Sequence, residues 1–196
     1  NNNKADQDGG GIYNTDQGQV TITGAYVNDN VAGAFSAHDV TGGALPNACL
    51  NDIVFYADGG DGGGIFNSNE ADVMIQGGAA VNGNSAYDTG DTGAGNGGGI
   101  FNTGTGTTTV TIDGSTVNGN MADRDGGGVW NSGGMVYVQN ASGVNDNTAG
   151  MNTGNFSAAF GGDGGGIFNT SNGANTGQVD VTSSEVNCNN AQRSNA

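Results

Sequence analysis

Positive charge is nearly absent from this sequence. Lys4, Arg124 and Arg193 are its only basic residues apart from the lone His38, against 19 Asp and Glu, and the formal net charge is -16. Such a surface repels phosphate backbones, so nucleic acid, which requires clustered Lys and Arg, is excluded as a partner. The same shortage argues against catalysis of the lyase type, which needs a basic side chain to remove a proton or to neutralise an acidic sugar. Apolar runs are also short. None reaches the roughly 18 residues that a membrane-spanning helix requires. Proline occurs once, at Pro46, and cysteine twice, at Cys49 and Cys188, a usage compatible with an oxidising compartment. The start, "NNNKADQDGG", has no initiator Met and no apolar signal core, as expected of a processed secreted protein or an excised segment.

What the sequence has in excess is glycine, 41 residues, with abundant Asn, Asp, Thr and Ser. Scattered at random, that composition would mean disorder. Here it is periodic. "DGGGIYN" from Asp8, "DGGGIFN" from Asp61, "NGGGIFN" from Asn96, "DGGGVWN" from Asp125 and "DGGGIFN" from Asp163 open five units. Each unit places one apolar residue after the glycines: Ile12, Ile65, Ile100, Val129 or Ile167. An alternating pair follows with the period of a strand: Val20 and Ile22, Val73 and Ile75, Val110 and Ile112, Val136 and Val138, Val179 and Val181. A valine before Asn closes the pattern, at Val27, Val81, Val117, Val144 and Val186.

Three short strands per unit, with no helical period, predict an all-β fold: a parallel β-helix of about five coils, forming one domain over residues 1–196. Spacing varies mainly between the third valine and the next glycine triplet. Insertions therefore collect at one corner, and the longest covers residues 32–60. Stacked strands lie about 4.8 Å apart, so Asn14, Asn67, Asn102, Asn131 and Asn169 are expected to form an amide ladder.

The "GGG-Ile/Val-aromatic-Asn" and "VNxN" elements resemble the glycine-rich repeats of the polymorphic outer membrane protein type, found in autotransporter passengers and adhesins. The resemblance covers essentially the whole chain and implies a right-handed β-helix outside the cytoplasm. Its motifs are scaffold motifs and imply no particular chemistry.

Two further ladders carry candidate sites. Asp8, Asp61, Asp125 and Asp163 share one position, interrupted by Asn96, either as hydrated carboxylates or as oxygen ligands for calcium. Tyr13, Phe66, Phe101, Trp130 and Phe168 form an aromatic stripe facing opposite to the neighbouring Ile or Val, and such a stripe needs a cover: the insertions, a sugar or another subunit. No pair of carboxylates is singled out for glycoside hydrolysis. The chain is read as not an enzyme, with no catalytic residue and no certain cofactor.

Both ends re-enter the repeat at the same corner, which leaves strand edges open to another chain. The function expected is therefore an extracellular, cell-surface structural protein: a subunit of a filament assembling head to tail, with self as partner. Terminal segments would compete for one corner at such a joint, so one must be displaced. Stacking would also bring Cys188 near Cys49 of the next subunit, giving an intersubunit disulfide. The alternatives are an adhesin-type carbohydrate-binding module and a polysaccharide-active enzyme of the same outline.

Overall fold

A computed structural model of the chain describes residues 1–33, 36–39, 53–56, 59–88, 95–104, 107–150, 162–173 and 175–192, with backbone alone at 36–39 and 53–56. The described residues contain strands and turns and no helix. Each glycine triplet leads into a strand of one sheet: Ile12–Asn14, Ile65–Ser68, Ile100–Thr103, Val129–Ser132 and Ile167–Asn172. These pair in parallel without slip, so that Ile12, Ile65, Ile100, Val129 and Ile167 fall in one row. The alternating segments Gln19–Thr23, Asp72–Gln76, Thr109–Asp113, Met135–Gln139 and Gln178–Thr182 form a second parallel sheet in the same repeat order.

The valine-Asn element is a strand only at Thr116–Asn118 and Gly143–Asn145; elsewhere it is held by single bridges such as Tyr26 to Ala80. A further parallel sheet of two-residue strands follows it: Val31–Ala32, Ser85–Ala86, Met121–Ala122, Thr148–Ala149 and Asn190–Ala191. Each repeat thus has four paired segments where the sequence pattern shows three. A two-residue strand is too short to display a period of two, which is why this sheet is not legible in the pattern. Its position fixes the insertions, since the longer connections leave after Ala32, Ala86 and Ala149. Inside the first of them, Ser36–Asp39 pairs with Ile53–Tyr56 in antiparallel fashion. The whole is an all-β, parallel-strand repeat architecture that fits a β-solenoid.

The interior is a stack of small branched side chains. Ile65, Ile100, Val129, Ile75, Val110, Ile112, Val138, Val81, Val117 and Val144 are all fully buried. Strand alternation turns Phe66, Phe101 and Trp130 to the other face.

The three glycines of the motif serve three different needs. Gly62 has φ of +67°, a region that glycine enters without the steric penalty of a Cβ. A Cβ on Gly63 would collide with the carbonyl of Gly98 and the backbone of Ser85. At Gly64 it would lie 2.7 Å from the Gly99 carbonyl and 2.9 Å from Asn84 Nδ2. The first glycine makes a turn, the second lets two backbones touch, and the third leaves room for an amide inside the corner.

These needs separate experimentally. A Cβ on Gly98 would overlap the Met121 and Gly127 backbones, whereas Gly119 needs only its φ of +62° and has nothing within 4 Å. Gly98→Ala should lower stability by at least about 3 kcal/mol, and Gly119→Ala by only about 1 kcal/mol, as read from urea midpoints. Equal losses would contradict the close-approach argument.

Candidate assembly interface

The polar groups buried inside the stack determine how its ends look. Asn14, Asn67, Asn102 and Asn131 point into the interior, the last three fully buried. Each Nδ2 donates to the Oδ1 of the Asn one coil on: Asn14 to Asn67 at 2.9 Å, then Asn67 to Asn102, Asn102 to Asn131 and Asn131 to Asn169 at 2.8 Å. Side-chain Nδ2 groups also reach turn carbonyls, as Asn67 does to Ala71 at 2.9 Å. The expected amide ladder is present.

The second Asn of "VNxN" forms another ladder that the pattern analysis passed over. Asn30 donates through its backbone N–H and its Nδ2 to Asn84 Oδ1, Asn84 to Asn120, Asn120 to Asn147, and Asn147 to Asn189, all at 2.9–3.0 Å. The remaining Nδ2 proton finds the valine carbonyl of the preceding coil, as in Asn84 to Val27 at 2.8 Å. The signal was available: this Asn never varies among the five units, while the residue before it is Asp, Gly or Cys. That variable residue has positive φ in every unit: Asp29, Gly83, Gly119, Asp146 and Cys188. The first Asn of the motif accepts the backbone N–H of its successor, for example Asn82 N–H to Asn28 Oδ1 at 3.0 Å.

Both amide ladders have a direction. The side chains donate toward the C-terminal coil, so the N-terminal end of the stack presents acceptor oxygens and the C-terminal end presents donors. Apolar residues are graded in the same sense. Val138 and Val144 are fully buried, but in the last coil Val181 is 43 % and Val186 is 38 % exposed. At the other end Tyr13 is 58 % exposed.

The aspartates form a ladder at the edge of the glycine corner. Asp61 N–H donates to Asp8 Oδ1 at 2.9 Å, Asn96 N–H to Asp61 at 2.8 Å, Asp125 N–H to Asn96 Oδ1 at 3.3 Å, and Asp163 N–H to Asp125 at 2.8 Å. Each side chain thus holds the backbone of the next coil. Among the described residues, no three His, Cys, Asp or Glu gather as a metal site. Burial pushes the Asp61 carboxyl up to about 7, assisted by the Asp8 charge and opposed by its Asn96 bonds. Asp8 is also raised, again mainly by burial.

The aromatic stripe is a continuous stack. Ring centroids lie 4.8 Å apart for Tyr13 and Phe66, 5.0 Å for Phe66 and Phe101, 4.3 Å for Phe101 and Trp130, and 6.4 Å for Trp130 and Phe168. Phe66 and Phe101 are buried. Cys188 is exposed, while Cys49, its expected partner across a joint, lies outside the described residues. His38 belongs to the strand Ser36–Asp39.

Comparison of the chain with protein-family models, with curated proteins and with solved structures finds no match.

Two outcomes test the polar interior. Asn102→Leu should cost about 2–4 kcal/mol, because it breaks the ladder on both sides at a buried position; a loss below about 0.5 kcal/mol would contradict the ladder's role. Asp61 takes its proton more readily folded than unfolded, so its contribution is fully present below about pH 4 and disappears as pH rises through about 7. Asp61→Asn, which copies the native Asn96, should flatten that dependence in thermal melts between pH 4 and 8.

Proposed function

We propose that this chain is a structural protein of the cell exterior, a right-handed β-helical subunit that assembles head to tail into a surface fibre. The right-handed winding follows the strong chirality of parallel crossover connections. In the fibre, the last coil of one copy stacks on the first coil of the next.

The observation that carries this reading is the complementarity of the two ends. One end offers donors in line with the amide ladders, with Val181 and Val186 exposed beside them; at the other, Asn14 Oδ1 is the matching acceptor of the first ladder, and Asn30 Oδ1, that of the second, accepts from Asn3. A contact of this kind joins unlike surfaces and does not close on itself, so it propagates as a filament. The net charge of -16 suits a solvated exterior surface and limits lateral aggregation. The aromatic stripe supports a scaffold role over a sugar platform, because its ring faces are occupied by one another. Arg124, which could have served an enzyme, lies 3.9 Å from Asp88.

Negative-stain microscopy of the purified protein should show filaments of uniform width. Val181→Asp should raise the concentration at which they form by at least about tenfold, which corresponds to about 1.4 kcal/mol per joint, with an unchanged β-type circular dichroism spectrum. A monomer at all concentrations up to the millimolar range would defeat the proposal.

A further inference from the structure

Residues 1–6 form part of a coil rather than a loose tail. They lie on the upper edge of residues 28–33. Asn28 N–H donates to Asn1 Oδ1 at 2.9 Å, and Asn2 N–H donates to the Asn28 carbonyl at 3.2 Å. Asn3 gives its backbone N–H and its Nδ2 to Asn30 Oδ1, each at 3.0 Å. Val31 N–H donates to the Asn3 carbonyl, and Ala5 N–H to the Val31 carbonyl, both at 2.9 Å.

Residues 187–192 match this segment position by position. Asn187, Asn189 and Ala191 stand where Asn1, Asn3 and Ala5 stand, and the residues between the asparagines share the left-handed conformation, with φ of 58° at Asn2 and 54° at Cys188. The second segment hangs below the fourth coil and is exposed on its other edge. It is also the better held of the two. Asn189 Nδ2 donates to the Val144 carbonyl at 2.8 Å. Asn190 N–H, Gln192 N–H and Gly162 N–H close further bonds to Asn147, Ala149 and Gln192 at 2.8–2.9 Å.

If two copies stack in register, both segments claim one level of one corner. We propose that residues 187–192 of a second copy displace residues 1–6 and bind the upper edge of residues 28–32. Asn187 Oδ1 then accepts from Asn28, Cys188 N–H and both Asn189 donors take over the bonds of Asn2 and Asn3, and Ala191 N–H meets the Val31 carbonyl. In the free subunit, residues 1–6 guard that edge and hold back assembly. This inference rests on the stacking reading above and specifies which strand makes the joint.

Two variants of the full chain test it. In Cys49→Ser with Asp29→Cys, position 29 and Cys188 of one molecule lie four coil spacings apart, about 19 Å, beyond disulfide reach. In the exchanged joint they become neighbours at about 4.8 Å. Mild oxidation of filaments should therefore yield a ladder of disulfide-linked oligomers on non-reducing gels. The second variant, Cys49→Ser and Cys188→Ser with Asn2→Cys and Asp29→Cys, staples residues 1–6 in place; Cys188 itself shows that cysteine accepts this φ. Oxidised, it should form filaments at least about tenfold more slowly than when reduced. Filaments without the 29-to-188 link, or undiminished assembly of the stapled protein, would overturn the exchange while leaving stacking intact. Absence of any filament or oligomer in the unaltered chain would remove both.

Discussion

The constraint on which the rest of this structure depends is that a buried amide has to be satisfied. Asn67, Asn102, Asn131, Asn84, Asn120 and Asn147 are fully shut away from water, and the partner each of them finds is its own equivalent one coil further along. That arrangement is possible only if the coils are parallel and in register. A slip of one residue would carry every amide to the outer face and leave apolar side chains or empty space opposite it. The apolar positions are less exacting, since Val129 replaces Ile in the same row without disturbing the pairing. Burial of Ile and Val supplies much of the driving force, and the asparagines fix which coil rests on which.

This division explains how the repeat length can vary. Successive members of the first Asn ladder are 53, 35, 29 and 38 residues apart, yet their bonds stay at 2.8–2.9 Å. The second ladder shows separations of 54, 36, 27 and 42 with the same constancy. Most of the slack is taken up between the two-residue strand and the next glycine triplet, where no interior amide has to be matched; a smaller part falls after the first Asn, as where Ser171 and Asn172 pair with Asn175 and Thr176. Loop closure becomes only slowly more costly with length, so a long insertion there hardly taxes the stack. The glycine corner is where the chain resumes its obligatory geometry.

Much of this was legible in the sequence, and the rest was hidden for identifiable reasons. Ile65 and Phe66 alternate across a strand as adjacent residues should, and that alternation separates the interior row from the aromatic row. The Asn14 to Asn169 ladder was visible because its members end a conspicuous motif. Asn30, Asn84, Asn120, Asn147 and Asn189 were equally regular, but polar residues in a turn-forming context read as solvent-facing. Their burial depends on the missing Cβ of Gly64 and its equivalents, contributed from another part of the coil. The aspartates illustrate the opposite case. Their ladder was apparent, but their bonding to successive backbone N–H groups follows from local strand geometry, which composition does not reveal.

The aspartate row bears on the proposed joint. Asn96 stands between Asp61 and Asp125 and donates its Nδ2 to Asp61 at 3.1 Å, so the neutral residue interrupts the charges where the row would otherwise be continuous. Stacking a second copy would place Asp8 after Asp163 and create a run of four carboxylates with no such interruption. In water, like charges at one strand spacing repel by only about 1 kcal/mol per pair, and salt screens them further. That repulsion is comparable to one net hydrogen bond, whereas a stacked coil forms many. In the proposed joint, therefore, charge sets the conditions under which copies would join, and the amides and backbone edges supply the contact itself.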